Sequence, residues 1–517
     1  MSSELILLGL LVVPPLAIVA ARILFPLPSL ENRTASRALA GSRETTIGRM
    51  LLPPAERHPE KSGLKPLTTG VDAFAARVLL AQAAERTLDV QYYIWRRDLT
   101  GILLMGALKD AADRGVRVRL LLDDTGTSGM DDHLAALDAH PAVEIRLFNP
   151  FPLRTFRYAA YLFDFFRLNR RMHNKSFTAD GVATIVGGRN VGDEYFGTGP
   201  QPLFVDLDVV AVGAVVPHVT ADFDRYWSSA SAYPVDRLLA AGTEAGLAAF
   251  AAEVASASKS TRFATYARTV RDSDVVRDMA DHELSLLWCD VVMISDDPRK
   301  ALDRAPRGKL MIHHLTDLLG RPDVVLDVVS SYFVPGRRGS RRFATLARAG
   351  VTVRVLTNAL ETTDVVPVHA GYAKYRKRLL RAGVELYELK SSAAPNEKAL
   401  LGITGSSGAS LHAKIFAVDR ERMFIGSFNL DPRSALLNTE MGFIVESPIL
   451  AGAASDFFDE RLKTLAYRTE MAGNGDLTWL ERREDGTSIR HEHEPGASAR
   501  RRMLVTLVGR LPVEWLL

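Results

Sequence analysis

Two segments of the sequence hold the same polar residues at the same spacing, and these residue types suit phosphoryl chemistry. Each segment begins with His-x-Lys, reaches an Asp after four residues, and after six more residues reaches a glycine-containing stretch that ends in Asn. Chance can produce one such spacing, whereas two copies indicate one site assembled from both. The paired positions are His173, Lys175, Asp180, Gly188 and Asn190 in the first segment and His412, Lys414, Asp419, Ser427 and Asn429 in the second.

The spacing predicts where these side chains point. Residues two apart lie on one face of a strand, so each His-x-Lys pair aims an imidazole and an ammonium at one point. Asp180-Gly181 is a hairpin signal, so the returning strand would bring Gly188 and Asn190 back beside the first His. Asp180 and Asp419 either form the turns or take part in the chemistry. Two such halves make a cage of imidazoles, ammoniums and neutral donors, which suits a phosphodiester and its pentacoordinate transition state.

Further carboxylates lie downstream of each motif and could support the histidines. Glu440 follows His412 by 28 residues, and Asp206 or Asp208 lies at a longer distance after His173. A carboxylate that reaches Nδ1–H of each His would fix its tautomer and leave Nε2 free to react. Solvated strand residues are the alternative interpretation of all three acidic positions.

The segments around the motifs alternate strands with helices, and this alternation occurs twice. Apolar spacing predicts a helix that stops at Gly115, followed by a strand over 116–122. The stretch 346–356 repeats the stretch 111–121, and its Gly350 follows Gly115 by 235 residues. Strands that alternate with helices predict βαβ units. We therefore expect an α/β fold of two duplicated lobes, each a mixed sheet flanked by helices, with the active site at the lobe interface.

Composition divides the chain into six segments. The first is apolar and is a membrane anchor, a secretory signal or an interfacial or buried arm; Arg22 after the apolar run favours a cytoplasmic body. Pro14 and Pro15 would kink a helix there. The segments are an anchor or signal-like stretch (1–30), a linker (31–67), lobe 1 (68–240), a helical connector (241–300), lobe 2 (301–470) and a tail with an apolar end (471–517).

Composition also excludes several classes of protein. Of the 517 residues, 47% are hydrophobic and 24% charged, as in a globular protein with a full core. A net charge of +3 excludes a strongly basic nucleic-acid coat protein and an acidic disordered chain. The single cysteine, Cys289, excludes an intramolecular disulfide and a Cys-based zinc cluster. We therefore expect neither a metal nor a cofactor.

The sequence beside the motifs favours a lipid over a nucleic acid as partner. Residues 156–171 interleave aromatic and basic side chains, as in helices at a bilayer surface, although a core helix with a basic solvent face is the alternative. Four arginines between 337 and 342 could attract anionic head groups or form a solvated loop. Such features also bind nucleic acid. The modest net charge and the apolar ends, including Trp515, favour a membrane surface, and no nucleic-acid partner is expected.

The duplicated HxKxxxxDxxxxxxG(G/S)xN motif resembles that of the phospholipase D superfamily, over roughly residues 68 to 470. The resemblance implies the duplicated phospholipase D-like fold. Within the superfamily the chain is similar to the bacterial cardiolipin synthases, and most to their C branch. Gly188 stands where the second motif has Ser427, a variation that the family tolerates. The segments that carry the closer similarity are 90–101, 168–175, 332–336 and 511–517.

The resemblance implies a two-step, metal-independent exchange at a cell (inner) membrane. One His attacks the phosphodiester to form a phosphohistidine, and the other protonates the leaving alcohol and then deprotonates the incoming one. By analogy His173 is the nucleophile, and the non-bridging oxygens are held by Lys175, Lys414, Asn190 and Asn429. The implied product is cardiolipin, from phosphatidylglycerol as acceptor and phosphatidylethanolamine as suggested donor.

Two other functions remain open at this point. One is a phospholipase D-type hydrolase acting on lipids or, less readily, on nucleic acid. The other is a non-catalytic membrane scaffold, against which both intact motifs argue. The two lobes can build a complete site within one chain, so catalysis needs no dimer.

Overall fold

The computed structural model describes residues 3–198, 203–280, 285–391, 409–483, 485–511 and 514–516. Within these ranges eighteen strands form one sheet that runs through both lobes, and two short strands pair separately. The strands are β1 (Ser62–Leu67), β2 (Thr87–Ile94), β3 (Arg117–Gly126), β4 (Val143–Phe148), β5 (Ser176–Ala179), β6 (Ala183–Gly187), β7 (Leu203–Val205), β8 (Asp208–Gly213), β9 (Ala232–Pro234), β10 (Leu287–Ser295), β11 (Val325–Ser330), β12 (Thr352–Asn358), β13 (Glu385–Leu389), β14 (Ala409–Leu411), β15 (Lys414–Val418), β16 (Arg422–Gly426), β17 (Met441–Glu446), β18 (Ala466–Met471), β19 (Leu477–Arg482) and β20 (Ser488–His491).

Helices cover the sheet and form the segments at both ends of the chain. They are α1 (Ser3–Leu24), α2 (Thr46–Glu56), α3 (Gly70–Ala83), α4 (Leu99–Asp113), α5 (Asp131–Asp138), α6 (Tyr161–Leu168), α7 (Asp193–Phe196), α8 (Val216–Trp227), α9 (Glu244–Ser258), α10 (Thr261–Arg271), α11 (Asp274–Ala280), α12 (Met311–Leu319), α13 (Gly336–Arg348), α14 (Val366–Ala373), α15 (Arg376–Arg381), α16 (Pro432–Leu436), α17 (Pro448–Asp456), α18 (Leu462–Leu465) and α19 (Ala499–Gly509). Among the described residues no helix combines the length and the apolar character needed to cross a bilayer, so the predicted anchor stays a prediction.

The two lobes repeat one strand order. In lobe 1, β4, β3 and β2 are parallel, and β5, β6 and β8 continue the sheet in antiparallel fashion. In lobe 2, β13, β12 and β11 are parallel, and β15, β16 and β17 continue it in the same way. This confirms the predicted α/β class and the duplication.

Equivalent residues stabilise the two lobes. Asp89 on β2 forms a buried bidentate pair with Arg119 on β3, with distances of 2.7 and 2.8 Å. Asp327 on β11 forms the same pair with Arg354 on β12, at 2.5 and 2.8 Å. These Asp–Arg pairs are charge-assisted and bidentate, so they fix the parallel strands whose carboxyl ends face the site.

The glycine predicted to end a helix, Gly115, has a left-handed backbone with φ of +91°.

Two strands outside the predicted lobe boundaries join the lobes. Strand β1 lies in the segment predicted as a linker, and β10 lies in the predicted helical connector, beside helices α9, α10 and α11. These strands pair antiparallel, from Ser62 opposite Cys289 to Leu64 opposite Leu287. A buried apolar cluster also crosses the junction, so the lobes pack as one body; it includes Val186, Val209, Ile425 and Phe443.

Candidate active site

The backbone N–H of each motif histidine forms a hydrogen bond with a residue of the opposite lobe. The N–H of His173 donates to the carbonyl of Thr439 (2.8 Å), and Met172 forms a parallel bridge to the same residue. The N–H of His412 donates to the carbonyl of Val205 (2.7 Å), where β14 pairs with β7. The two His-x-Lys segments are therefore fixed at the lobe interface by equivalent exchanges of backbone hydrogen bonds.

The supporting carboxylates are exchanged between the lobes. Glu440 Oε2 lies 2.8 Å from Nδ1 of His173, and Asp206 Oδ2 lies 2.5 Å from Nδ1 of His412. Each carboxylate directly follows the residue whose carbonyl holds the backbone of that same His. Sequence distance had associated Glu440 with His412 and Asp206 with His173, and the structure corrects both associations. Each imidazole is thus oriented by a carboxylate from the other lobe.

Burial makes both imidazoles weak bases. It lowers the pKa of His173 to about 4 and that of His412 to about 3. The nearby ammonium groups lower both values further, whereas the paired carboxylates oppose the shift; each His is affected by the lysines of both lobes. Without ligand both rings are therefore neutral at pH 7. With Nδ1–H donating to its carboxylate, each ring leaves Nε2 as the reactive nitrogen.

The two lysines place buried positive charge beside the histidines. Lys175 Nζ donates to the carbonyl of His173 (2.5 Å), and Lys414 Nζ donates to the carbonyl of His412. Burial lowers the pKa of both ammonium groups, and Lys414 lowers that of Lys175 further. Burial alone would raise the pKa of Asp206, but His412 and Lys414 hold it below its usual range. An anionic phosphodiester would compensate this concentrated positive charge.

The polar residues that end the motifs differ in their contacts. Asn190 accepts from the N–H of Ile94 (3.2 Å) and donates to the hydroxyl of Tyr195 (2.9 Å), while Asn429 accepts from the hydroxyl of Ser331 (2.9 Å). The Ser427 hydroxyl is one of the neutral donors that the motif spacing predicts for binding substrate. In this structure it donates to Glu440 Oε2 at 2.5 Å and so positions a carboxylate.

The difference between Gly188 and Ser427 has a steric cause. A Cβ at position 188 would lie 2.1 Å from Oδ1 of Asp206, which is too close for any side chain. On the other half of the site, Ser427 contacts the longer Glu440 through its hydroxyl. The residue beside each carboxylate therefore fits it: Gly188 leaves room for Asp206, and Ser427 forms a hydrogen bond with Glu440.

We expect the substitution Gly188→Ser to lower turnover by about 10²-fold, because it displaces Asp206 and with it the ring of His412. Gly308→Ser is the matched control, since a Cβ at 308 meets open space. Steady-state kinetics together with thermal unfolding of both variants check this. Full activity of Gly188→Ser would show that Asp206 does not position His412.

Asp180 and Asp419 lie in turns, which is the first of the two roles that the sequence left open for them. Both have left-handed backbones, with φ of +51° and +52°. The carboxylate of Asp180 accepts backbone N–H groups that lead into β2, and that of Asp419 accepts those that lead into β11, at the end of each motif strand remote from its His. These donors are Glu85, Arg86 and Thr87 for Asp180, and Asp323, Val324 and Val325 for Asp419.

We expect Asp180→Ala to lower the free energy of unfolding by about 2 kcal/mol, because three backbone donors, one of them buried and two partly buried, lose their acceptor. Turnover per folded molecule should change little. Urea unfolding and the specific activity of the folded fraction measure the two effects, with exposed Asp317→Ala as control. A large loss of turnover at unchanged stability would restore a chemical role to this residue.

Asp208, which the sequence offered as the alternative to Asp206, pairs with buried Arg77 at 2.8 Å and so stabilises lobe 1.

Two aromatic residues of the site were not predicted from the sequence. Aromatic rings pack edge-on against both histidines: Tyr93 lies 5.0 Å from His173, and Tyr195 lies 5.2 Å from His412, measured between ring centroids. Tyr93 falls near the carboxyl end of β2, a position at which parallel strands commonly present site residues, and this was the available signal.

A duplicated lobe that supplies one His-x-Lys pair from each half defines a phosphodiester-handling protein of the phospholipase D-like type. The family model described as "Cardiolipin synthase, PLD-like domain" matches residues 78–227 and 315–462, which together make up more than half of the chain. The chain therefore belongs to this family.

Curated relatives agree with this assignment, and a solved structure has a similar fold. The chain is 49% identical over 471 residues to cardiolipin synthase C of Escherichia coli (strain K12), which covers 90% of this chain and 98% of that protein. It is 25% identical to cardiolipin synthase A of Pseudomonas aeruginosa (strain LESB58), over 82% of this chain and 71% of that protein. The crystal structure of phosphatidylserine synthase from Haemophilus influenzae Rd KW20 covers 90% of this chain and 99% of its own, with a TM-score of 0.54 and 12% identity. This last likeness shows the fold alone.

Proposed function

We propose that the chain makes cardiolipin by transferring a phosphatidyl group onto the free glycerol hydroxyl of phosphatidylglycerol, with phosphatidylethanolamine as donor. The single observation that carries the proposal is the pair of cross-lobe contacts, His173 with Glu440 and His412 with Asp206. These contacts prepare two neutral imidazoles with free Nε2 atoms beside buried ammonium groups. Phosphatidyl exchange between two alcohols needs this set of groups.

In the first step, Nε2 of His173 attacks the phosphorus of the donor. A nitrogen–phosphorus bond forms while the bond to the head-group oxygen breaks, and protonated His412 gives its Nε2 proton to that oxygen. His412 is neutral in the free protein, so it must take up a proton from solvent when the substrate binds, and a phosphodiester anion beside the ring favours that protonated form. The proton that His412 later removes from the acceptor hydroxyl leaves it ready for the next turnover.

In the second step, the primary hydroxyl of phosphatidylglycerol takes the place of the departed head group. His412, now neutral, removes the hydroxyl proton, the oxygen bonds to phosphorus, and the nitrogen–phosphorus bond breaks to restore His173. Lys175 and Lys414 stabilise the negative charge on the non-bridging oxygens in both transition states. Asn190 and Asn429 are proposed to support them as neutral donors.

A transferase must keep water from the phosphohistidine while the acceptor alcohol arrives. Both histidines are 7% exposed, and Tyr93 and Tyr195 pack against them. Such shielded walls favour a lipid acceptor over water. Because both substrates lie in a bilayer, we infer that the chain is membrane-associated, with α1 as the proposed attachment.

The test uses purified full-length protein and vesicles that contain labelled phosphatidylglycerol, with and without phosphatidylethanolamine. We expect labelled cardiolipin when phosphatidylethanolamine is present and little without it, because phosphatidylethanolamine is the proposed donor. Free ethanolamine should appear in equal amount to that cardiolipin. Phosphatidic acid as the only product would contradict the proposal and leave a phospholipase D-type hydrolase.

A further inference from the structure

An exposed apolar surface lies beside the segment that leads into the first motif. Helix α6 ends at Leu168, five residues before His173. Several large apolar side chains on α6 and just before it face solvent. Single exposed apolar side chains are common on protein surfaces, whereas a cluster of them indicates a binding surface. They are Phe156 (75% exposed), Tyr158 (69%), Leu162 (81%) and Phe166 (69%), and we call them the docking face.

The exposure of the docking face does not come from a loose loop. Arg154 donates to Asp124 (2.6 Å) and to Asp131 (2.5 Å), and Arg157 donates to the carbonyl of Asp124 (3.2 Å) and pairs with Asp131. Asp124 is fully buried at the end of β3. These ion pairs fix the loop before α6, so Phe156 and Tyr158 are exposed on an ordered segment.

Helix α1 extends this apolar surface. Arg22 donates from Nε to the carbonyl of Phe163 (2.8 Å) and lies 3.8 Å from the carboxylate of Asp164. The rings of Phe25 and Phe163 stack with centroids 6.1 Å apart. The end of α1 is therefore held on α6, and further apolar side chains of α1 are exposed there, among them Val13, Leu16 and Ile23.

The docking face lies close to apolar residues of lobe 2. Arg433 of lobe 2 donates to the carbonyl of Asn169 (2.9 Å), next to the end of α6, and to the carbonyl of Leu516 (3.3 Å). Arg170 donates to the carbonyl of Leu436 (3.3 Å), whose side chain is half exposed. Apolar groups of both lobes thus border the segment that carries His173 into the site.

Basic residues flank the apolar surface on the side of lobe 2. A Cβ at Gly336, the first residue of α13, would lie 3.4 Å from the carboxylate of Glu514. The first turn of α13 is therefore next to the carboxyl-terminal turn with its half-exposed Trp515. Four exposed arginines between 337 and 342 lie on this helix. Exposed aromatic rings beside clustered arginines match the interface of an anionic phospholipid bilayer.

We propose that the docking face binds an anionic bilayer, with Phe156, Leu162 and Phe166 inserted among the lipids and the arginines of α13 on the head groups. The bilayer would then meet the protein where the two lobes meet, and a phospholipid could reach His173 and His412 without crossing water. The proposal rests on the proposed function in that the substrates are lipids. It adds which surface receives them.

The test places a fluorescent probe at single sites in the full-length protein. Cys289, the only native cysteine, is buried, so Leu162→Cys can be labelled selectively with an environment-sensitive dye. On adding phosphatidylglycerol–phosphatidylethanolamine vesicles, we expect at least a twofold rise in emission and quenching by a lipid-borne quencher. Ile449→Cys is the control: it is 66% exposed, and it follows the end of β17 that is remote from Glu440.

Three results decide the proposal. A response at position 162 and none at position 449 supports it. No response at 162 while the protein sediments with vesicles overturns it, because attachment would then run through α1 alone. Equal responses at both positions overturn it as well, since the protein would have no defined membrane-facing side.

A second variant separates docking from chemistry. Phe156→Ser combined with Phe166→Ser should weaken binding to the same vesicles by about tenfold or more. Cardiolipin formation in detergent-mixed micelles, where docking is not required, should stay at the parent rate. Unchanged vesicle binding contradicts the docking face, whereas absence of cardiolipin from the parent protein in micelles contradicts the proposed function.

Discussion

Replacing His173 by alanine should abolish cardiolipin formation, lowering turnover by about 10⁴-fold or more, because it removes the nucleophile that we propose forms the covalent phosphoenzyme. His412→Ala should lower turnover by about 10²- to 10⁴-fold, the usual contribution of a general acid and base. His313→Ala, an exposed substitution in α12, is the control. Protein quenched in alkaline denaturant after reaction with labelled donor lipid allows the phosphohistidine to be trapped and mapped, because its nitrogen–phosphorus bond is stable to alkali and labile to acid.

The position of the label decides between the two histidines. We expect it on His173 in the parent protein, and a larger labelled fraction in His412→Ala if that variant reacts with the acceptor more slowly than with the donor. A label on His412 would reverse the two roles. Absence of any acid-labile label from a turning-over enzyme would contradict covalent catalysis.

Removing the charge of either cross-lobe carboxylate should impair the histidine of the other lobe. Glu440→Gln should slow phosphoenzyme formation by about 10²-fold or more, because the amide favours the wrong tautomer of His173 and does not stabilise positive charge on its ring. Asp206→Asn should slow proton transfer by His412 to a similar extent. Rapid-quench measurement of both half-reactions separates these effects, with exposed Glu446→Gln on the same strand as control.

A donor lipid with a nitrophenyl head group distinguishes the two variants sharply. Its leaving group needs no proton, so phosphoenzyme formation by Asp206→Asn should return to near the parent rate. Glu440→Gln should remain slow, because nucleophilic attack is still impaired. The same response from both variants would mean that the carboxylates do not serve separate histidines.

Local patterns in the sequence were sufficient for the repeated elements of the fold. Strand–helix alternation and the glycines at 115 and 350 depend on short-range geometry, so they predicted the duplicated α/β lobes. The strands that join the lobes were missed, since β1 and β10 lie in segments without clear alternation. They are stabilised by pairing with each other and with β8 and β17. Long-range pairing of this kind leaves little local signal.

The candidate site was predictable in its residue types and less so in its connections. The motif spacing indicated that His173 and His412 share a site, but it could not show that each carboxylate serves the opposite lobe. That exchange follows from the cross-lobe bridges at Thr439 and Val205, which are tertiary contacts. The sequence left a turn role and a chemical role open for Asp180, because a carboxylate at a fixed motif position suits both until its backbone partners are known.

The most direct test of the account is a crystal structure of the protein with orthovanadate, which imitates the pentacoordinate phosphorus. We expect one vanadate ion at the lobe interface, bonded to Nε2 of His173, with Nε2 of His412 hydrogen-bonded to the apical oxygen on the opposite side. Lys175 and Lys414 should contact its equatorial oxygens. A vanadate that reaches only one imidazole, or two ions in separate pockets, would contradict the claim that both lobes act on one phosphorus atom.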